Sequence, residues 1–241
     1  MDKAILIDSL CKKYKNGRGI QDVTFSVNEG EIFGFLGPNG AGKTTAMKIL
    51  TGLIKPDSGT ARIFGHSIED DYENAMKSVG AIIENVAPFG YLTAYENMKT
   101  AARYYSGITD ERIDECLNMT GIYKFKNEKT KGFSLGMKQR LGISMAILSN
   151  PKILVLDEPL NGLDVEGMVE IRKLILKMAQ DYKTTFLISS HLIHDVELTC
   201  NKIGILYNGK MLDVDYTDNI LKNYSSLENY YLSEVDLNAQ L

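Results

Sequence analysis

Through residues 4–10, 23–27, 32–36 and 60–64, apolar side chains come in short runs, some alternating with polar ones, with turn-forming residues between them. Such runs predict β-strands. Ahead of the fourth, Lys55-Pro56-Asp57-Ser58-Gly59 marks a reversal, in which the proline presets φ and the glycine accepts the turn. From about residue 93 to 150 the apolar period lengthens to that of a helix. Helices are predicted over 93–105, over 110–120 with acids in the first turn, and over 138–148, where Leu141, Met145 and Leu148 share a face. Short apolar runs return at 153–156 and 185–189 with a helical pattern at about 165–180 between them, which predicts a βαβ unit in a buried parallel sheet. Asn208-Gly209 then predicts a hairpin turn joining 203–206 to 211–214. The chain therefore reads as α/β: a core of 1–83 and 151–216, an inserted helical subdomain over 84–150, and a tail over 217–241. In that tail Leu227, Tyr230, Tyr231 and Leu232 have helix-like spacing, suited to packing within the chain or to dimerisation.

The glycines bring chemistry into this frame. Gly37, Pro38, Asn39, Gly40, Ala41, Gly42, Lys43 and Thr44 fill a G-x-x-x-x-G-K-[ST] pattern between the run 32–36 and a helical segment, 45–53, that begins at Thr45. Glycines let the backbone curl so that successive N–H groups point into one concavity, to which the following helix adds its positive end. Lys43 supplies a point charge for β- and γ-phosphates, and the Thr44 hydroxyl is placed to bind Mg²⁺. Every fixed position is filled in the right context, so the segment predicts binding of a nucleoside triphosphate.

A second constellation follows the run 153–156, which ends in Asp157-Glu158-Pro159. Two carboxylates thus stand where a buried strand emerges, at the edge where open α/β sheets bind ligands. Alone they could merely cap the next helix. With a phosphate loop upstream, Asp157 is suited to hold Mg²⁺, directly or through water, and Glu158 to polarise an attacking water as general base. His191, after the run 185–189, faces the same edge, and its catalytic reading depends on these other motifs.

Composition narrows the partners. With 241 residues, 44% of them apolar, the chain can bury a sizeable core. A net charge of −4 argues against a sequence-independent nucleic-acid binder, and no nucleic-acid partner is expected. Three widely spaced cysteines, Cys11, Cys116 and Cys200, predict free thiols in a reducing cytosol rather than disulfides or a zinc site. Without an 18-residue apolar stretch or a signal-peptide pattern, the chain is expected to be cytoplasmic, meeting a membrane only through a partner.

Between the two sites lies Phe133-Ser134-Leu135-Gly136-Met137-Lys138-Gln139-Arg140, a loop running into a helix. Phosphate loop, this loop, a strand ending in Asp-Glu, then a histidine after the next strand: in that order the chain closely resembles the ATP-binding subunit of ABC transporters, from Tyr14 to about Gly209. The resemblance implies a P-loop NTPase core of ABC type with N-terminal antiparallel strands. It implies that Tyr14 stacks on adenine, a contact worth about 1–3 kcal/mol by analogy with base stacking elsewhere. It places Asn161-Gly162-Leu163-Asp164 where two subunits meet, and it gives Ser134 and Gly136 the task of clamping the γ-phosphate of ATP held by the opposite subunit. The implied working unit is a dimer, most simply a homodimer, that uses ATP and Mg²⁺.

Two departures from the family pattern refine this. The signature is usually Leu-Ser-Gly-Gly-Gln, whereas here Leu135 replaces the first glycine and Met137 the glutamine. At the segment where most members place a glutamine that senses Mg²⁺ and contacts the membrane subunit, Glu84 stands instead, which makes it a candidate Mg²⁺ ligand or a contact with that subunit. Together these resemble the subgroup that exports bacitracin or protects lantibiotic producers. Transport then requires a separate permease, with the chain peripheral on the cytoplasmic face of the membrane. Its docking surface is expected in 85–95, where Phe89 and Tyr91 either stay exposed or pack inward. The alternative, a soluble ABC-type ATPase acting on DNA or ribosomes without a permease, would call for a long coiled coil, a duplicated ATPase domain or a basic stripe, and none is evident.

Overall fold

The computed structural model describes residues 3–239; residues 1–2 of the predicted core and 240–241 of the predicted tail lie outside them. Strands β1 (Lys3–Lys13) and β2 (Gly19–Asn28) form an antiparallel hairpin, extended by β4 (Ser58–Ile63) and the short β5 (His66–Ser67) in the order β2-β1-β4-β5. A six-stranded sheet packs against it, in the order β10 (Lys210–Tyr216), β9 (Lys202–Tyr207), β3 (Ile32–Leu36), β8 (Thr185–Ser190), β7 (Ile153–Asp157), β6 (Val79–Ile82). All of its neighbouring pairs are parallel except β10 with β9, the predicted Asn208-Gly209 hairpin.

The central strands are buried on both faces, so their alternation sorts side chains between two cores. Phe33 and Phe35 of β3, Ile153 and Val155 of β7 and Leu187 of β8 point toward the antiparallel sheet and helix α1 (Lys43–Leu50), where Phe25 and Phe33 stack at 4.9 Å between ring centroids. Ile32, Leu36, Leu154, Leu156, Phe186 and Ile188 point the other way. They meet the helical block of α3 (Ala94–Ala102), α4 (Asp110–Met119) and α5 (Leu135–Ala146), together with α6 (Val165–Tyr182) and α7 (Ile193–Thr199).

Capping explains where these helices begin. Thr93 and Glu96 form a reciprocal capping box on α3, and Thr109 caps α4. Helix α5 starts three residues earlier than its apolar period predicts, because the Ser134 hydroxyl accepts the Met137 N–H at 3.2 Å and makes Leu135 the first helical residue. Arg112 of α4 donates to the carbonyls of Ile147 and Leu148 at 2.6 and 3.2 Å, closing the far end of α5. Short elements escaped the sequence pattern: β5, β6, and the helices α2 (Tyr72–Met76), α7 and α8 (Thr217–Asn223) are too brief for a period to show.

The tail forms helix α9 (Leu227–Ala239), which packs on α7, α8 and β10 of its own chain. Leu227 and Tyr230 are buried, whereas Leu232 and Leu237 stay exposed. The Tyr230 hydroxyl donates to the Asp213 carboxylate. Burial, and then that carboxylate, push the Tyr230 phenol above the usual tyrosine range. A raised folded-state value means that this group's contribution to stability is complete below the unfolded pKa of about 10 and is lost as the pH rises past it. Tyr230→Phe should therefore cost about 1–3 kcal/mol in denaturant unfolding at pH 7, and the deficit relative to wild type should shrink above pH of about 10. A deficit independent of pH would contradict the coupling.

Candidate active site

The parallel register decides which residues meet. Leu36 at the end of β3 pairs with Ser190 of β8, and Asp157 at the end of β7 pairs with Ser189 of the same strand. Three strand ends therefore open side by side at one edge, with the phosphate loop leaving the first, the two acids leaving the second and the histidine leaving the third.

The loop's shape demands glycine at two places. A Cβ on Gly37 would lie 2.1 Å from the Leu206 carbonyl oxygen. Gly42 caps α1 at φ 111°, where a Cβ would also strike Ile20 at 2.4 Å. This fold-back buries Lys43, which is 5% exposed, so its ammonium must be satisfied inside. Its Nζ donates to the carbonyls of Gly37 at 2.5 Å and Pro38 at 3.3 Å, and pairs with Glu158 Oε1 at 3.2 Å. The Thr44 hydroxyl donates to Asp157 Oδ2 at 2.8 Å. Across the same carboxylate, the Ser189 hydroxyl donates to Oδ1 at 2.5 Å. Glu158 follows in a left-handed turn, φ 48°, with its N–H donated to Ser189 Oγ at 2.8 Å and its Oε2 2.8 Å from His191 Nδ1.

Beside these groups lies an open cavity of about 490 Å³. It is lined by Pro38, Asn39, Gly40, Ala41, Gly42, Lys43, Thr44 and Thr45 of the phosphate loop and the start of α1, by Lys48 and Glu158, and by Tyr14, Asn16, Arg18 and Gly19. Tyr14 is 37% exposed at a tight turn, where its N–H donates to the Arg18 carbonyl at 2.8 Å and its carbonyl accepts the Gly17 N–H at 2.9 Å. A planar, half-exposed ring thus stands at the cavity beside the phosphate loop. Thr44 and Asp157 offer two hard oxygen donors in contact with each other, a donor set that suits Mg²⁺ completed by water and phosphate oxygens. Among the described residues no group of three or more His, Cys, Asp and Glu side chains gathers as a metal site.

Ser134 and Gly136 do not join this cavity. They line a second one of about 540 Å³, with Leu135, Met137, Gly162, Leu163 and Asp164. Leu135, half-exposed, leans over Gly162, and Asp164 caps α6 by accepting the Gly167 N–H at 2.8 Å. The Gly136 backbone is open, since an added Cβ would meet nothing closer than Leu163 at 3.7 Å.

Glu84 also stands apart. Held at φ 65° just beyond β6, it gives its carboxylate to Lys48 Nζ at 2.6 Å, and so touches the wall of the nucleotide-sized cavity rather than the Thr44–Asp157 pair. Phe89 and Tyr91 are exposed, with centroids 6.0 Å apart. Cys11, Cys116 and Cys200 are free thiols, and burial pushes the last two up to about 11 and about 12. The sequence pattern missed Lys48 and Ser189. The available signal for the serine was a polar residue at the end of an otherwise apolar strand.

The model of the ABC transporter family matches residues 20–161. The bacitracin transport ATP-binding protein BcrA of Bacillus licheniformis is 38% identical over 234 residues, 97% of this chain and 76% of that protein. The lantibiotic transport ATP-binding protein SrtF of Streptococcus pyogenes is 37% identical over 223 residues, 92% of each. Among solved structures, the dimeric post-hydrolysis state of the ATP-binding cassette MJ0796, bound to ADP and Pi, superposes with a TM-score of 0.78 at 27% identity, covering 88% of this chain and 98% of that one.

Assigning binding to Lys43 and hydrolysis to Glu158 has separable consequences. Lys43→Ala should weaken ATP binding, whereas Glu158→Gln should bind ATP normally and release phosphate about 10²–10⁴-fold more slowly. Equilibrium nucleotide titration beside a phosphate-release assay separates the two, and equal loss of affinity in both variants would contradict the assignment.

Proposed function

The chain belongs to the ABC transporter family, and from that membership we infer that it is the ATP-binding, ATP-hydrolysing subunit of an exporter whose cargo, an antimicrobial peptide of the bacitracin or lantibiotic kind, crosses through a separate permease. The observation that carries the ATPase reading is the joining of Lys43, Glu158 and His191 by contacts of 3.2 and 2.8 Å at the phosphate loop. The peptide cargo is supported by the relatedness to BcrA and SrtF, each named for transport of such a compound.

In this reading Tyr14 stacks on adenine, and the N–H groups of residues 37–45 receive the phosphates. Lys43 now spends its charge on two loop carbonyls and on Glu158. The β- and γ-phosphates together carry more negative charge than the single Glu158 carboxylate, so binding draws Lys43 off Glu158 and frees the carboxylate to take a proton from water. His191, on the other oxygen of Glu158, keeps the carboxylate aimed. Thr44 and Asp157 would hold Mg²⁺, which when bound would neutralise negative charge on the phosphates. Ser134 and Gly136 act on ATP in the opposite copy, since the cavity they line shares no residue with the one at the phosphate loop of their own chain.

The permease-facing surface lies beside β6. Exposed Phe89 and Tyr91 stand next in sequence to an open apolar groove of about 410 Å³ lined by Ile82, Ile83, Val86, Tyr104, Tyr105 and Met145. No helix among the described residues is long and apolar enough to cross a membrane. We place the chain on the cytoplasmic face, as one of two identical copies, with the groove and its aromatic rim receiving the permease.

Glu84 ties that surface to the nucleotide. Through Lys48 it reaches α1, whose first residues, Lys43 and Thr44, end the phosphate loop, so its charge transmits occupancy rather than performing chemistry. In cells carrying the permease, Glu158→Gln should abolish peptide resistance, and Glu84→Gln should lower it while the isolated protein keeps most of its ATPase activity. Unchanged resistance with a collapsed ATPase would put Glu84 in the catalytic shell instead.

A further inference from the structure

Ser189 is fully buried at the end of β8, where Leu187 and Ile188 precede it. A hydroxyl enclosed among apolar strand residues is costly unless it is bonded. Here it is used twice. Its O–H donates to Asp157 Oδ1 at 2.5 Å, and the same oxygen accepts the Glu158 N–H at 2.8 Å.

Each bond does something the rest of the site lacks. Thr44 holds only Oδ2 of Asp157, and a carboxylate fixed at one oxygen can still swing. Ser189, bonding Oδ1 from the adjacent strand, fixes its plane. Glu158 lies at φ 48°, in the left-handed region that a residue other than glycine occupies at some cost, and its N–H has left the sheet ladder. Ser189 receives that N–H and so sets the turn that aims the Glu158 side chain at Lys43 and His191. The register pairing of Asp157 with Ser189 sets this side chain beside the two acids.

We propose that Ser189 is the positioning residue of the hydrolytic site, fixing with one oxygen both the carboxylate that holds the divalent cation and the backbone that aims the general base. Fully buried and absent from the lining of the cavity at the phosphate loop, it acts through these two residues. The proposal rests on the roles given above to Asp157 and Glu158.

ATP affinity of the whole chain, titrated in EDTA and then at stepped Mg²⁺ concentrations, tests it, with thermal unfolding run beside it. Ser189→Ala should bind ATP in EDTA as wild type does, within about twofold, yet need about 10–100-fold more Mg²⁺ to reach the tightened state, the scale seen when a residue supporting a metal ligand is removed. Ser189→Thr, which keeps the hydroxyl, should recover much of the loss. In an Asp157→Asn background Ser189→Ala should add nothing further. In the nucleotide-free protein the Glu158 amide should exchange with solvent at least about tenfold faster in Ser189→Ala. Should the alanine variant fail to fold, Ser189→Cys fills nearly the same space with a weak donor and should show the same Mg²⁺ shift. An unchanged Mg²⁺ requirement in Ser189→Ala or Ser189→Cys, with Asp157→Asn shifted, would overturn the proposal alone. An unchanged requirement in Asp157→Asn would overturn the underlying reading of the site.

Discussion

The hydrogen bond from Thr44 to Asp157, 2.8 Å long, joins the start of α1 to the end of β7 across a sheet in which β3 and β7 are not neighbours. Strand β8 lies between them and contributes Ser189, which grips the other oxygen of the same carboxylate. Two segments 113 residues apart in the chain are thereby closed onto one point. Everything else in the site hangs from that closure: Glu158 leaves it in a left-handed turn, Lys43 lies beside it, and His191 reaches back to it from the end of β8. The closure in turn depends on strands buried on both faces, because a slip of one residue in β7 would exchange Val155 with Leu156 between the two cores.

Much of this was legible from residue order. The phosphate loop, the acids after 153–156 and the βαβ spacing each follow from a local pattern, and the central strands lie where their apolar runs predicted. Less could be read where structure depends on distance. The apolar face of α5 predicted a helix from 138, but Ser134 starts it at Leu135 through a capping bond that apolar spacing does not record. The contact of Lys48 with Glu84 spans 36 residues, and the bond of Ser189 to Asp157 spans 32. Both arise from strand adjacency or from the packing of α1, which no single stretch of sequence encodes. The tail's apolar spacing left two fates open, and the burial of Leu227 and Tyr230 against the chain's own elements accounts for the face that carries them.

The electrostatics describe a site that satisfies itself until phosphate arrives. A buried ammonium without partners would be severely penalised, and Lys43 avoids this with two carbonyls and one carboxylate. Its pairing with the residue assigned as general base links phosphate binding to readiness for hydrolysis within a single side chain. In the proposed arrangement the γ-phosphate is clamped from elsewhere, by the N-terminus of α5, where Ser134 and Gly136 line a separate cavity.

The central claim is that ATP is enclosed between the phosphate loop of one copy and the Ser134–Gly136 segment of another. The most direct test is sedimentation velocity of Glu158→Gln, which retains bound ATP because hydrolysis is slowed. With Mg²⁺ and ATP it should sediment as a dimer, with Mg²⁺ and ADP it should return to monomer, and adding Gly136→Asp, which sets a carboxylate against the γ-phosphate, should keep it monomeric in ATP. A monomer in ATP, or a dimer that survives Gly136→Asp, would contradict the account.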